Sequence, residues 1–439
     1  MGILQPNDQI ILPAGIRRNE RLEHLLAVGR STLTRDILMT FALQDILEGL
    51  GVVWVGSERS VQTLLNFIPP QRIDHCIYFA PGNHTKRPIA WNLLRNVPPD
   101  ERFRVAGAVS GAFAGIYKDF WGPQSDHLLR TAVQANLDLG DSTLLGVLPM
   151  LNNRRYRQMA IKRIKDPFAL AWWQEYEGWK EDKKKDARGP LQNKLGALVA
   201  NVHLQNIIGQ VKNRLEVGAA LQGKILVVAL EPKDLGNQEM VRLFGSLLLY
   251  ELIQAGYRAD TGADPACFVY IEQAHSLSPD VLQELTGAAY SPFSVALATT
   301  HMDRLDIALE RSLMGSVGSI IASRSSYADA ERFHEHFGSL KMKEREFVDM
   351  AVGELAVKLP EGEPYWSELA LRPEEQFARY GKARSIINRS LDRFGSPRAK
   401  VQRPIKAWAR EWLAEDNSQA NSGSFPRARP TARPKGLTQ

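Results

Sequence analysis

Short apolar runs alternate along this chain with longer stretches in which apolar residues recur at helical spacing. The runs His24–Val28, Val52–Val55, Cys76–Phe79, Ile225–Leu230, Phe268–Ile271, Val295–Ala298 and Ser319–Ala322 are rich in Val, Ile and Leu and apolar on both faces. Such runs predict strands of a parallel sheet covered by helices on both sides. Helical patterns fall between many of them, for example at Gln238–Gln254 and Asp280–Ala288, and a late strand, Leu355–Leu359, is closed by Pro360. Strand–helix alternation of this kind predicts a doubly wound α/β sheet.

The strand pattern stops at about Asn96 and resumes at about Lys224. Between them Phe103–Phe120, Ser125–Leu139, Asn153–Ile164, Pro167–Lys180 and Leu191–Ile208 read as helices, punctuated by Gly140, Pro149, Gly189 and Pro190. The expected organisation is one α/β domain, residues 1–96 and 224–400, with an all-α domain inserted at 97–223 and a C-terminal helix and tail at 401–439. Trp121, Trp172, Trp173 and Trp179 lie in the insert at spacings that favour core packing over base stacking. Lys180–Arg188, with five bases and three acids, reads as a solvated helix end.

Composition narrows the class without fixing the chemistry. The chain has 439 residues, 44% hydrophobic and 24% charged, as ordinary soluble globular proteins do. Of its net charge of +6, four charges come from Arg427, Arg429, Arg433 and Lys435, in a segment with no acid after Asp416. The remainder is nearly neutral, so the basic balance marks the tail and not a folded face. This Ser-, Pro- and Arg-containing tail reads as disordered and suited to salt-sensitive contact with nucleic acid or an acidic partner. Cys76 and Cys267 sit in apolar runs and read as small core residues. No apolar run is long enough to insert in a membrane, and the expected location is cytoplasmic, with any membrane association made through a partner.

The candidate chemistry begins at Leu25–Val28, which runs into Gly29 and then a helical segment. A phosphate loop reads G-x-x-x-x-G-K-[ST]. Counted from Gly29, through Ser31 and Thr32, the second glycine is Thr34, the lysine is Arg35 and the metal-binding hydroxyl is Asp36. Thr34 carries a Cβ where a positive φ is wanted, and Asp36 sets a negative charge against phosphate.

In the order and spacing of its segments the chain resembles the motor domain of type IV secretion coupling proteins, the TraG/TraD-type conjugative DNA-transfer ATPases of the wider HerA/FtsK-like class. The segments are HLLAVGRSTLTRDIL, GLGVVWVGS at Gly49–Ser57, IPPQRIDHCIYFAPGNHTKRPIAWNLL at Ile68–Leu94, WGPQSDHLLRTA at Trp121–Ala132, DPFALAWWQEY at Asp166–Tyr176, ILVVALEPKDLGNQ, FGSLLLYELIQAGYRA and SRSSYADAERF at Ser323–Phe333. The resemblance runs from about Ile11 to Leu359. It implies a P-loop NTPase-like, RecA/HerA-type fold with a mostly parallel sheet and an inserted all-α domain.

It also locates departures. Where the family's Walker B strand ends in Asp-Glu, this chain has Glu272 and Gln273, and Gln cannot act as a general base. The family's sensor Gln is replaced by Thr299 and Thr300, and the Asp after the second strand by Gly56. Phosphoryl transfer needs both phosphate positioning and metal charge neutralisation. The expectation is therefore a catalytically inactive, coupling-protein-like subunit of a DNA-transfer, secretion or mobile-element machinery, with no cofactor. The alternatives are an atypical NTPase that binds ATP and Mg²⁺ through Arg35 and Glu272, and a nucleic-acid-binding protein without a motor role. The family's ring assembly implies a homo-oligomer or a hetero-oligomer with an active paralogue, on DNA, with Arg324 reaching a neighbour's phosphate or pairing internally with Asp329 or Glu331.

Overall fold

The computed structural model describes residues 16–413, except 84, 260–266, 288–291, 339–341 and 369–371. The tail bases Arg427, Arg429, Arg433 and Lys435 lie outside the described residues. The strands are β1 (Leu25–Val28), β2 (Gly51–Gly56), β3 (Cys76–Phe79), β4 (Ile225–Ala229), β5 (Cys267–Ile271), β6 (Phe293–Thr299), β7 (Ser319–Ala322), β8 (Glu354–Lys358) and β9 (Tyr365–Glu368). They form one sheet in the order β3-β4-β2-β5-β6-β1-β7-β8-β9. All pairings from β3 to β7 are parallel, and β8 and β9 add antiparallel strands at one edge. Every residue of the seven parallel strands is buried, as a sheet covered on both faces requires.

β9 has no apolar run to announce it. Its sequence YWSE alternates half-buried and exposed positions at the sheet edge.

Helix α1 (Ser31–Leu47) follows β1 and α2 (Glu58–Leu65) follows β2. The chain between β3 and β4 folds as α3 (Arg102–Ile116), α4 (Pro123–Leu139), α5 (Val147–Asn152), α6 (Arg154–Ile161), α7 (Pro167–Gly178), α8 (Glu181–Ala200) and α9 (Val202–Ile208). Here the expected punctuation is corrected. Gly189 and Pro190 lie inside α8, while the charged run from Lys180, its N-cap, forms the mostly exposed N-terminal end of that helix, as expected. The break comes later, at Asn201, whose Oδ1 accepts hydrogen bonds from the N–H groups of His203 and Leu204 and so caps α9. Trp173 is fully buried and Trp172 stacks on Tyr176 with ring centroids 5.5 Å apart, so these aromatics are core. The C-terminal helix, Arg398–Trp412, returns to this insert, where Trp412 meets Tyr156 edge-on at 5.2 Å.

Both cysteines are free and buried, and burial raises both thiols, Cys76 to about 12. Among the described residues no helix is long and apolar enough to cross a membrane.

One buried polar group ties the body together. Arg21 donates to both oxygens of Asp45 (3.0 and 3.2 Å) and to the Tyr270 hydroxyl (2.8 Å), which in turn donates to Asp45. Arg21 is 4% exposed and Asp45 0%, so this bidentate pair links the segment before β1, the end of α1 and the middle of the sheet.

Candidate nucleotide site at the carboxyl edge of the sheet

β1 and β6 are neighbours whose chains leave in opposite directions. From β1 the chain crosses through α1 to β2, on the far side of β6 and β5. From β6 it passes over β1 to β7. The crevice outside the carboxyl ends of two such strands is where open α/β sheets bind ligands.

The β1–α1 turn is short. Gly29 and Arg30 alone separate β1 from Ser31, the first residue of α1. Gly29 has φ +139°, and a Cβ there would lie 1.7 Å from Ser323 Oγ. Only glycine satisfies both conditions. The extended loop expected from Gly29 to Asp36 is thus contracted, and its last six residues are helix. Thr34 is helical, with Oγ1 donating to the carbonyl of Arg30 (3.3 Å), so no positive φ is needed there. Asp36 is buried at the sixth position of α1 and paired with Arg35 (2.7 Å). Burial pushes its carboxyl up, and Arg35 pulls it back. The repulsion of phosphate expected from Asp36 is therefore offset, and the same contact withdraws Arg35 from a phosphate-binding role.

What remains open is the start of α1. The N–H groups of Arg30, Ser31 and Thr32 have no hydrogen-bond partner among the described residues, and no side chain caps the helix. Ser31, Thr32 and Arg30 are exposed. Across the edge, Thr300 Oγ1 is buried without a partner among the described residues. Val28 is in register with Thr299 on one side and Ala322 on the other. Arg30 and Arg324 thus stand two residues beyond paired positions on adjacent strands. Arg324 is exposed and has no partner among the described residues, which removes the internal pairing with Asp329 or Glu331. Asp329 instead accepts from the Met302 N–H (3.0 Å) and contacts His301 (3.1 Å). Free helical N–H groups with two unpaired cations suit a phosphate.

The metal-binding side is less open. Glu272 follows β5, but its carboxylate turns away from β1 toward the start of α2. It accepts from Ser60 Oγ (2.5 Å) and from the Ser57 N–H (3.0 Å). Gly56 makes this turn accessible, since a Cβ there would fall 2.3 Å from Glu272 Oε2. Gln273 is exposed. Both bonds fall on Oε2 and hold the carboxylate toward the start of α2, away from β1.

Next to it Arg304 donates to His275 Nε2 (3.0 Å), so Nδ1 carries the proton and donates to Thr299 Oγ1 (3.3 Å). Burial, with help from Arg304, Arg242 and His301, lowers His275 to about 4, so the ring is neutral at neutral pH. The order of motifs brings Gly29, Ser31, Thr32, Thr300 and Arg324 to one edge, but not Glu272, Gln273, Thr34 or Asp36. The motifs assign no role to Arg30, Ser60, Ser323 or His275. The signal available for Ser60 is a side-chain-free Gly56 immediately before a serine cap.

No family model matches the sequence, and no curated protein matches it. Solved structures do. The plasmid coupling protein TrwB in complex with ADP and Mg²⁺ is 16% identical, with a TM-score of 0.62 over 84% of this chain and 90% of that one. The unbound bacterial conjugative coupling protein TrwBΔN70 is 14% identical, with a TM-score of 0.65 over 87% and 92%. VirB4 of Thermoanaerobacter pseudethanolicus is 11% identical, with a TM-score of 0.54 over 80% and 90%. The expectation of no cofactor is overturned by these findings, because TrwB has been solved with ADP and Mg²⁺ and with the analogues ADPNP and GDPNP. With its mostly parallel sheet and matching architecture, the chain has a P-loop NTPase fold like that of type IV secretion coupling proteins.

Proposed function

We propose that this chain is a coupling-protein-like component of a DNA-transfer machinery. It binds a nucleoside triphosphate with Mg²⁺ at the β1–α1 edge and acts as a structural or regulatory subunit, not as a motor. The nucleotide-bound TrwB structures support the ligand. The engagement of Glu272 by Ser60 and Ser57 carries the claim that hydrolysis is suppressed. The Glu272 carboxylate is drawn through Oε2 toward α2, away from a metal held by the nucleotide's phosphates, and Gln273 supplies no base to activate water. Arg30 and the α1 N–H groups would hold phosphate. Arg324, unpaired at the same edge, suits contact with a nucleotide carried by a neighbouring subunit.

Titration with ATP and Mg²⁺, run beside a phosphate-release assay, tests this. Saturable binding with turnover at background is expected. Arg35→Lys alone leaves turnover at background, because the contracted turn and Gln273 remain. Turnover abolished by Glu272→Ala would overturn the proposal.

Assembly is tested separately. An active paralogue should hydrolyse ATP faster when this chain is added, and Arg324→Ala should remove that gain while leaving association intact.

A further inference from the structure

A groove of about 770 Å³ lies where the C-terminal helix meets the inserted helices, and it shares no lining residue with the nucleotide edge. Its floor is apolar and aromatic, from Tyr156, Met159, Ile405, Trp408 and Trp412. Met159 and neighbouring Val211 are each 38% exposed, unusual for side chains facing a concave surface with nothing on it. The rim is basic. Lys212, Arg214 and Lys400 line it, all are exposed, and none of their side chains has a hydrogen-bonding or charged partner among the described residues. The acid on the lining, Asp141, is already paired with Arg95. Pro404 also lines the groove, inside the C-terminal helix.

We propose that this groove binds an acidic, amphipathic segment of a partner protein, its large apolar side chains on the floor and its carboxylates against Lys212, Arg214 and Lys400. Charge complementarity selects this occupant. The chain's own tail carries only bases after Asp416 and has the same sign as the rim. Single-stranded nucleic acid satisfies the rim but not the floor, because stacking needs open ring faces. Trp412 is already packed T-shaped against Tyr156 and has Arg155 over its ring at 5.1 Å. An open apolar cleft with a charged rim is the form that receives an amphipathic helix by its i, i+3, i+4 and i+7 side chains.

The test uses the full chain and three fluorescein-labelled probes read by anisotropy. The first is a synthetic peptide of about 15 residues with Leu and Phe at those helical positions and Glu and Asp elsewhere. The second has Lys in place of the acids, and the third is a single-stranded oligonucleotide of similar length. Expected are saturable binding of the acidic peptide, none of the basic one, and at least ~10-fold weaker binding in Lys212→Glu/Arg214→Glu/Lys400→Glu and in Met159→Asp. These exposed positions leave melting temperature unchanged, so a loss reads as lost contact. No saturation with the acidic peptide overturns the proposal, as does binding that both variants retain. Oligonucleotide binding that both variants abolish, without peptide binding, reassigns the groove to nucleic acid. Binding that appears only on truncation after Leu413 reassigns it to the chain's own tail.

Discussion

Two turns at the same edge of the sheet, β1 to α1 and β2 to α2, have the same plan and opposite endings. Each runs from a buried parallel strand through a glycine into a helix. At α2 the helix start is closed from within. Ser57 Oγ accepts from the Ser60 N–H, Glu272 accepts from the Ser57 N–H, and Glu58 in the first turn accepts from the Tyr78 hydroxyl. At α1 nothing among the described residues answers the N–H groups of Arg30, Ser31 and Thr32. The same helix-end electrostatics that recruit an internal carboxylate at α2 are left available to an external anion at α1. The edge is not uniform: one helix start is closed internally and its neighbour is left open.

The largest effect should come from the glycines. Gly29→Ala meets both an unfavourable φ and Ser323 Oγ, and should destabilise by about 2–4 kcal/mol. Gly56→Ala has no φ penalty but must displace the Glu272 carboxylate. It should cost about 1–2 kcal/mol and make Glu272 available to a metal. Denaturant unfolding of the two variants measures the difference. Equal losses would mean that the two turns are not built differently.

Protonation sharpens the comparison next. His275 is held near 4, below its usual value, so the folded state resists the proton. The stability this implies is full above about 6.5 and is lost as pH falls toward 4, by on the order of 1–2 kcal/mol. Glu251 runs the other way. Burial, the largest influence, raises its carboxyl to about 7, while Trp91 donates to it (2.5 Å). Its folded form binds the proton more tightly than the unfolded chain, so stability falls as pH rises through 7. His275→Gln should flatten the acid limb of a stability profile and Glu251→Gln the neutral limb. A profile unchanged in both variants would remove these groups from the account.

Ser60→Ala should cost about 1 kcal/mol, by removing a donor to Glu272. The smallest effect on stability belongs to Arg30→Ala, within about 0.5 kcal/mol, because the side chain is exposed and has no partner among the described residues. That same change should weaken ATP binding several-fold. Unchanged affinity would show that α1 does not meet the phosphate.

The sheet was legible in the sequence because seven strands buried on both faces must be continuous apolar runs; Cys76–Phe79 and Ser319–Ala322 agree residue for residue with the expectation. β9 carries no such demand at its edge, and Pro190 misled because α8 accommodates it mid-helix. At the candidate site, motif order located β1, β5, β6 and β7. It could not show that helix begins at Ser31, or that Glu272 turns toward Ser60, since both follow from contacts between segments far apart in sequence.

α1 is a rod of 17 residues, about 25 Å long. Its far end is gripped by Arg21 and Tyr270 through Asp45. A rigid rod held at one end can neither roll about its axis nor slide along it. The direction in which the N–H groups of Ser31 and Thr32 point is thus fixed from the other end of the helix. Substitutions at Arg21 or Asp45, which touch no ligand, would act on the nucleotide edge as a change of aim.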